Sequence, residues 1–597
     1  MSTLLKKLNK LILVWRERGT RGLLRFLYQR IREQLHAGYS YDQWVERHSL
    51  SAQEILSRQQ SLNQWQHRPR FSVIMPVYNV DPAWLERAIA SVQAQIYPDW
   101  ELCIADDAST REGIRQLLTH YSQLDSRIKI VFRPQNGNIV AASNSALELA
   151  TGEYIALLDH DDELAIDALF EVAQLINQHP DADFIYTDED QITPQGKRVH
   201  PFFKPDWAPD YFHACMYTCH LGVYRTELIR QLGGFRPGLD GAQDYDLVLR
   251  VTEKTSHIYH IPKILYHWRI IPTSVTGKGE AAKPWAYVAA RQALQDMVDR
   301  SPYPGWVETT ERPGFWRVRR QIQGNPLISI VIPSAGKVLE TPTGPLNVLQ
   351  NCIQSIRDRS TYRRFELVVV DGYDIPDATL AWLDQIPEVR LVRSREPFNF
   401  AQRINLGAAA AAGEILLLLN DDIEVQSPDW LESMLEFAQQ KEIGAVGAKL
   451  VTPDQRIQHI GVMILHGNPG HAFYGAESHV PGYYCSNVVN RNYLAVTAAC
   501  LMMRRELFQE LGGMGEEFPL NYNDVDLCLK VHAAGYRNLV TPFAQLIHYE
   551  SVSRAKGLQP GEWEVLNRKW QHYFDKLQGD PYYNPNFSHR EVGFKLP

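Results

Sequence analysis

The chain has 597 residues, which corresponds to about two large domains or three to four small ones. Its 61 basic and 69 acidic residues leave a formal net charge of −8, which argues against a general nucleic-acid-binding protein. With 45% hydrophobic and 22% charged residues, the composition is that of a globular protein with large cores. It excludes a collagen, a coiled coil and a disulfide-stabilised miniprotein.

The seven cysteines are widely scattered, and no cleavable signal pattern is present. We therefore expect reduced thiols and a cytoplasmic location. Cys215 and Cys219 are close in sequence, but without a second close pair they are expected to be buried thiols and not zinc ligands. No apolar run approaches the ~20 residues that a membrane-spanning helix needs.

The first 34 residues differ from the rest, with nine Lys or Arg and two Glu. Leucines and aromatic residues lie between these charges at spacings near three and four, which predicts helices with an apolar and a basic face. Two interpretations stay open. The segment lies on the anionic inner face of the cell membrane as a peripheral anchor, or it docks on the protein with its charges in water.

An internal repeat organises the remainder of the chain. The strand-like segment Phe71–Asn79, which opens the first copy, recurs in Ile328–Ser334, which opens the second, 257 positions later from proline to proline. Helical stretches then lead to the strand-like segments Trp100–Ser109 and Phe365–Gly372. Both copies therefore open as β-α-β units.

The later motifs recur in the same order. Acidic tips follow a strand at Asp159–Asp162 and Asn420–Asp422, and an Asp-x-Asp-Leu motif follows a Gly-Gly pair in each copy. The distance from Asp161 to Asp244 is 83 positions and that from Asp422 to Asp524 is 102, so an insertion is expected near residues 456–495. Alternating strands and helices predict a mostly parallel α/β sheet with ligands at the carboxyl ends of its strands.

These ordered motifs resemble the family 2 glycosyltransferases of the GT-A fold, over residues 71 to about 275 and 328 to about 555. The resemblance implies two tandem Rossmann-like domains that transfer sugar from a UDP-, GDP- or dTDP-activated donor with Mg²⁺ or Mn²⁺. It also implies a role in bacterial surface-polysaccharide assembly, such as O-antigen or capsule, often with rhamnose-type donors. We predict four regions: a basic helical region (1–68), two GT-A domains (69–318 and 325–556) and a C-terminal tail packed on a domain (557–597).

Paired acidic side chains at a strand end suit a hard divalent cation that neutralises a diphosphate leaving group. In the first copy these are Asp159 and Asp161, with His267 as a further ligand. The alternative for this cluster is a helix N-cap. The metal ligands expected in the second copy, where asparagine replaces the first carboxylate and weaker binding is expected, are Asn420, Asp422 and His548.

An acceptor hydroxyl needs a carboxylate to take its proton as it attacks the anomeric carbon. Asp244 and Asp524 match the position of the base in the resembled family. A single base opposite the leaving group predicts inversion of the anomeric configuration. The alternative is that each aspartate only caps the helix that follows.

The resemblance places the nucleotide at the ends of the first two strands of each copy. The residues concerned are Pro76, Tyr78, Asn79, Asp106 and Asp107 in the first copy, and Pro333, Ser334 and Asp371 in the second. The Asp-Asp-x-Ser motif of the first copy is absent from the second, which leaves the second donor open.

Three hypotheses follow for the whole chain. In the first, each copy adds one sugar to a lipid-linked glycan acceptor at the cytoplasmic membrane. In the second, one copy is active and a degenerate partner binds glycan or serves as a scaffold, as Asn420 and the missing Asp-x-Ser favour. In the third, the chain is a non-catalytic nucleotide-binding or structural protein.

Overall fold

The computed structural model describes residues 39–271, 284–341, 344–549 and 561–597. The basic segment predicted over residues 1–34 lies outside them. Residues 39–49 and 595–597 belong to one compact unit and residues 50–594 to another. In the smaller unit, α1 (Tyr41–His48) begins after Ser40, whose hydroxyl accepts the backbone N–H of Gln43, and the N–H of Tyr39 donates to the carbonyl of Pro597 at 2.7 Å.

Nine strands of the larger unit form the sheet of the first copy. They are β1 (Phe71–Val77), β2 (Trp100–Asp106), β3 (Ile128–Phe132), β4 (Tyr154–Leu157), β5 (Glu163–Leu164), β6 (Phe184–Ile192), β7 (Arg198–Phe202), β8 (Gly222–Arg225) and β9 (Ile258–Arg269). Their order is β3-β2-β1-β4-β8-β6-β9-β5, with β7 beside β6. Since β1, β2 and β4 run parallel, their carboxyl ends meet at one edge of the sheet.

Helices precede this sheet and connect its strands. They are α2 (Ala52–Ser61), α3 (Pro82–Gln93), α4 (Ile114–Leu124), α5 (Asn138–Glu148), α6 (Ala168–Gln178), α7 (Pro209–Phe212), α8 (Thr226–Gln231) and α9 (Gln243–Thr252). After the sheet, α10 (Pro284–Arg300) and the hairpin of β10 (Gly305–Thr309) and β11 (Trp316–Arg320) lead to the second copy.

The second copy repeats this arrangement, and the structure describes fourteen strands between residues 328 and 549. They are β12 (Ile328–Ser334), β13 (Val338–Thr341), β14 (Gly344–Asn347), β15 (Phe365–Asp371), β16 (Val389–Arg393), β17 (Ile415–Leu419), β18 (Ile423–Val425), β19 (Ile443–Val451), β20 (Ile457–His459), β21 (Val462–Leu465), β22 (Asn468–His471), β23 (Arg491–Asn492), β24 (Cys500–Arg504) and β25 (Arg537–His548). The main sheet has the order β16-β15-β12-β17-β24-β19-β25-β18, which matches the first copy strand for strand.

The helices of the second copy and of the tail complete the fold. They are α11 (Val348–Arg359), α12 (Asp377–Leu383), α13 (Phe400–Ala410), α14 (Trp430–Ala438), α15 (Arg505–Glu510), α16 (Asn523–Ala533) and α17 (Glu562–Leu577). All five side chains of β17 are buried. A central strand that is covered on both faces needs an unbroken apolar sequence, which β17 has. Both copies are mixed α/β domains with mostly parallel central strands, as the sequence predicts.

The copies contact one another through buried polar groups. The carboxylate of Asp210 in the first copy accepts from Asn492 Nδ2 at 2.6 Å and from Arg537 Nε at 3.0 Å. The tail contacts both copies, since Trp570 Nε1 donates to Asp526 at 2.9 Å and Asn584 Nδ2 donates to Asp188 at 2.9 Å. The carboxylates of Asp210, Asp526 and Asp188 are buried, so these contacts join the parts of the larger unit firmly.

Candidate active site

In the first copy, the loop after β1 is braced by its asparagine. The side-chain oxygen of Asn79 accepts the backbone N–H groups of Thr110 and Arg111 at 2.8 and 2.9 Å. The carbonyl of Pro76 is bonded to Nδ1 of His160 at 2.9 Å, and the ring of Tyr78 is 46% exposed. The predicted nucleotide residues of this loop therefore hold the strand ends together and leave one aromatic face open.

Asp106 and Asp107, at the end of β2, have different surroundings. The carboxylate of Asp107 accepts from Arg133 Nε at 2.7 Å and from the backbone N–H of Gly137 at 3.0 Å, so it anchors the start of α5. Asp106 is 3% exposed, and its Oδ1 has no hydrogen-bond partner in the part of the chain that the structure describes. Of the pair, Asp106 has the unused acceptor.

The carboxylates of the acidic tip after β4 have two different roles. Asp162 is buried, and its carboxylate accepts the Tyr266 hydroxyl at 2.6 Å and the backbone N–H of Arg269 at 2.7 Å. Burial, with Asp161 and Asp159 nearby, raises its pKa well above the usual range. Burial also raises the pKa of Asp161, and the neighbouring Asp159 adds to this. Asp162 fastens the tip to β9, which leaves Asp159 and Asp161 crowded together.

Asp244, the predicted base, lies in the first turn of α9. Burial raises its pKa, the His220 side chain lowers it and the Asp159 carboxylate raises it. The structure therefore brings Asp159, His220 and Asp244 into one electrostatic neighbourhood. His220 stacks on the ring of Tyr266 with a centroid distance of 4.5 Å.

His267 does not join this group. Its Nδ1 lies 2.5 Å from Oδ1 of Asp190, its neighbour across the sheet on β6. The residues on either side of it, Tyr266 and Trp268, both contact the ring of His220. Because successive strand residues face opposite sides of a sheet, His267 faces the side of Asp190, whereas Tyr266 and Trp268 face the side of His220.

The two copies differ in strand register at the position of this histidine. Ile423, directly after Asp422, lies opposite His548, whereas Glu163, two residues after Asp161, lies opposite His267. The two histidines are thus one position out of register, and Trp268 occupies the place that His548 has in the second copy. The structure thus places His267 beside Asp190 and His548 beside Asp422, and the role of His267 as a metal ligand stays a prediction.

In the second copy, the predicted residues line one cavity of about 1000 Å³. It lies at the carboxyl ends of β12 and β17 and beside the first turn of α16. The predicted site residues among its lining are Pro333, Ser334, Asn420, Asp422, Asp524 and His548.

Three of the predicted residues are in direct contact. Nε2 of His548 lies 3.1 Å from Oδ1 of Asp422 and 3.4 Å from Nδ2 of Asn420. Between them in sequence, Asp421 accepts the Ser334 hydroxyl at 2.6 Å, and burial raises its pKa to about 6. The end of β12 is thereby tied to the acidic tip, as Pro76 is tied to His160 in the first copy.

Asp524 and Asp371 have well-defined partners. The Asp524 carboxylate accepts the backbone N–H groups of Ala498 at 3.2 Å and Val525 at 2.9 Å. Asp371 is buried, accepts the backbone N–H groups of Asp374 and Ile375, and closes the turn after β15. The described cavity lining at this point is Val370 and Asp374, so Asp371 supports the wall from behind.

The sequence motifs do not indicate every residue of the site. His220 and Gln458 stand alone in sequence, with no motif around them. The repeat itself offers a signal for Asp421, because it occupies the middle of the acidic tip. In the described ranges, three or more His, Cys, Asp or Glu side chains nowhere converge so as to hold a metal ion by themselves. Nor does any helix there have the length and apolarity to cross a membrane.

Comparison with known sequences gives the family. The description "Glycosyl transferase family 2" matches residues 72–233 and 329–512, one match in each copy. The chain belongs to glycosyl transferase family 2. Both matches of this glycosyltransferase include the strand ends and acidic tips described above, and its two α/β copies are tandem GT-A domains.

Two relatives of this family 2 glycosyltransferase are much longer than the chain. It is 44% identical over 548 residues to the uncharacterized protein y4gI of Sinorhizobium fredii, with 89% of this chain and 59% of that protein covered. It is 35% identical over 539 residues to the O-antigen biosynthesis protein RfbC of Myxococcus xanthus, with 89% and 41% covered. The chain thus spans about half the length of these relatives. Among solved structures, S. aureus TarS 1–349 with UDP-GlcNAc is 21% identical, with 39% of this chain and 67% of that chain covered and a TM-score of 0.33.

Proposed function

We propose that the chain transfers sugars from nucleotide-sugar donors to a growing surface glycan, with inversion at the anomeric carbon and a divalent cation at each active site. The observation that carries the proposal is the second-copy cavity, in which the acidic tip, His548 and Asp524 face one space. The name of the Myxococcus xanthus relative supports the glycan class.

The donor nucleotide would bind at the ends of the first two strands. In the first copy, Oδ1 of Asp106 is a buried acceptor without a partner in the described chain, and it suits an N–H group of a nucleobase. Tyr78 beside it offers an exposed ring on which a base can stack. UDP-, GDP- and dTDP-sugars all fit this description.

The donor atoms at the acidic tips fit Mg²⁺ or Mn²⁺. These cations prefer oxygen ligands. The carboxylates of Asp159 and Asp161 repel one another, and a bound cation would reduce this repulsion. In the second copy Asp422, Asn420 and His548, which lie in contact, would hold it, with Asn420 coordinating through its amide oxygen. When bound, the cation neutralises negative charge on the leaving diphosphate.

Asp244 and Asp524 would serve as the bases. Each lies in the first turn of its helix, and the backbone N–H groups of Ala498 and Val525 hold the Asp524 carboxylate in place. An ionised carboxylate there takes the proton of the acceptor hydroxyl as the hydroxyl oxygen attacks the anomeric carbon. Attack opposite the leaving diphosphate inverts the configuration.

We favour two working sites over one site with a degenerate partner. The contact of His548 with Asp422 and Asn420 supports activity in the second copy, in spite of the missing first carboxylate. The separate variants Asp244→Asn and Asp524→Asn, assayed with a panel of nucleotide sugars and Mn²⁺, test this. Each variant should lose a different linkage by a factor of about 100 or more. Undiminished transfer in Asp524→Asn would leave only the single-site alternative.

The acceptor in this proposal is a lipid-linked glycan at the cytoplasmic membrane. The basic amphipathic segment of residues 1–34 would hold the enzyme on the anionic inner surface, where each cation contributes about 1 kcal/mol of binding. Sedimentation with anionic vesicles, with and without residues 1–34, tests this part. Equal sedimentation of the two chains would contradict it.

A further inference from the structure

Residues 456–495, the region of the second copy in which the insertion lies, form one wall of the cavity, which we call the inserted wall. It contributes Gln458 on β20 and Pro469, Gly470 and His471 on β22 to the lining, which also includes Asp524. The region in which the second copy carries its extra residues therefore lines the same cavity as the proposed base.

Gln458 carries an unused hydrogen-bond acceptor in this wall. Its side chain is 7% exposed, and Oε1 has no hydrogen-bond partner in the described part of the chain. Folded proteins rarely leave a buried amide oxygen unpaired, because its hydration is lost without compensation. An unpaired acceptor of this kind on a cavity wall can accept a hydrogen bond from a ligand.

The backbone places Gln458 on the side of the base. Its neighbour His459 accepts the backbone N–H of Thr497 through Nε2 at 3.3 Å. The next residue, Ala498, donates its N–H to the Asp524 carboxylate at 3.2 Å. A ligand group that contacts Gln458 is therefore held close to the carboxylate that would deprotonate the acceptor.

A pair of histidines fixes the wall. Burial lowers the pKa of His459 far below its usual range, and His471 and His548 lower it further, so the ring is neutral. Because Nε2 of His459 accepts from Thr497, its proton is on Nδ1, which lies 2.9 Å from Nδ1 of His471. His459 therefore donates to His471, and this hydrogen bond joins β20 to β22 at the cavity surface.

We propose that this inserted wall binds the acceptor saccharide of the second site, and that Gln458 recognises it through two neighbouring hydroxyl groups. One hydroxyl donates to Oε1, and the amide Nε2–H donates to the oxygen of the other. The donor diphosphate belongs at Asn420 and Asp422, which leaves the Gln458 side of the cavity to the acceptor. The inference rests on the proposed function and adds to it which residues select the acceptor.

Saturation-transfer NMR on the full chain tests the inference. The probes are methyl glycosides of glucose, galactose, mannose, rhamnose and N-acetylglucosamine, and separately UDP, GDP and dTDP with Mn²⁺. The proteins compared are the unmodified chain, Gln458→Met, which conserves volume without polar atoms, Gln458→Glu, which keeps acceptor oxygens, and the control Gln509→Met on the exposed face of α15.

At least one glycoside should bind about tenfold more weakly to the second site in Gln458→Met, the loss expected for one removed hydrogen-bonding group. Gln458→Glu and Gln509→Met should retain most of the signal, and the nucleotide signal should be equal in all four proteins. Glycoside signals that are equal in Gln458→Met and Gln509→Met, or absent from the unmodified chain, overturn the inference while nucleotide binding persists. Failure of every nucleotide to bind the unmodified chain rejects the proposed function itself.

Discussion

At the scale of single residues, the two proposed bases differ in what surrounds them. Both accept the backbone N–H of the residue that follows. Asp244 has His220 and Asp159 as charged neighbours, whereas Asp524 also accepts the backbone N–H of Ala498. The sequence motif alone makes the two aspartates equivalent. The neighbours that differ, His220 and Asp159 for Asp244 and Ala498 for Asp524, come from other segments of the chain, so the difference appears only in the folded protein.

The surroundings of Asp244 predict a pH dependence. A base must be ionised, so transfer by the first copy should rise with pH through the raised pKa of Asp244, at a higher pH than for an ordinary aspartate. The His220 side chain lowers this pKa, so His220→Gln should move the acid limb to higher pH. The measurement is the pH profile of kcat/KM in an Asp524→Asn background. An acid limb that does not move would contradict the assigned role of His220.

The two histidines of the last strands predict different effects on metal binding. His548 contacts Asp422 and Asn420, whereas His267 contacts Asp190. His548→Ala should weaken Mn²⁺ binding in the presence of UDP about tenfold, and His267→Ala should leave it unchanged. Electron paramagnetic resonance titration of Mn²⁺ measures both. An equal loss in the two variants would contradict the register argument.

At the scale of elements, a buried histidine links β9 to its surroundings. The His260 ring donates at 2.9 Å to the carboxylate of Asp188 on β6 and at 2.9 Å to that of Asp206 in the loop after β7. Burial alone would lower its pKa, but the two carboxylates raise it to about 9. The protonated ring therefore holds these segments together at neutral pH.

His260 gives a prediction for stability. Its pKa is raised on folding, so its contribution, about 3 kcal/mol from the shift, is fully present below about pH 6.5 and is lost as the pH rises through about 9. His260→Gln should lower the melting temperature most near pH 6 and least near pH 10. The control is His257→Gln, at a half-exposed position directly before β9. A deficit that is independent of pH would contradict the ion-pair assignment.

At the scale of the whole molecule, the two copies are joined through Asp210. Burial alone would raise the pKa of its carboxyl, but Arg537 and Asn492 hold it below its ordinary value. Removing one partner of a buried ion pair leaves the other charge uncompensated, at a cost of about 3 kcal/mol. The copies should therefore unfold in one transition in the native chain.

Asp210→Ala should lower the melting temperature by several degrees and separate the unfolding of the two copies. Differential scanning calorimetry measures both effects, and the control is Asp358→Ala, an exposed carboxylate on α11. A single transition at the native temperature would show that the aromatic contacts between the copies, such as Phe202 with Tyr484 at 4.0 Å, suffice alone.

The amino-acid sequence by itself determined the tandem α/β architecture and the acidic tips. Buried strands such as Ile415–Leu419 are unbroken apolar runs, and the motifs that end them recur in order, so both are local properties of the chain. It also indicated the insertion near residues 456–495, because repeat spacing is a matter of counting.

Only the tertiary structure decided which face of a strand each side chain takes. The distances from Asp244 to His267 and from Asp524 to His548 are 23 and 24 positions, and a difference of one residue turns a side chain to the opposite face of a sheet. The hydrogen bond of Asp524 with Ala498 and the burial of Asp106 and Gln458 likewise depend on distant segments, since burial and hydrogen bonding depend on neighbours in space and not in sequence.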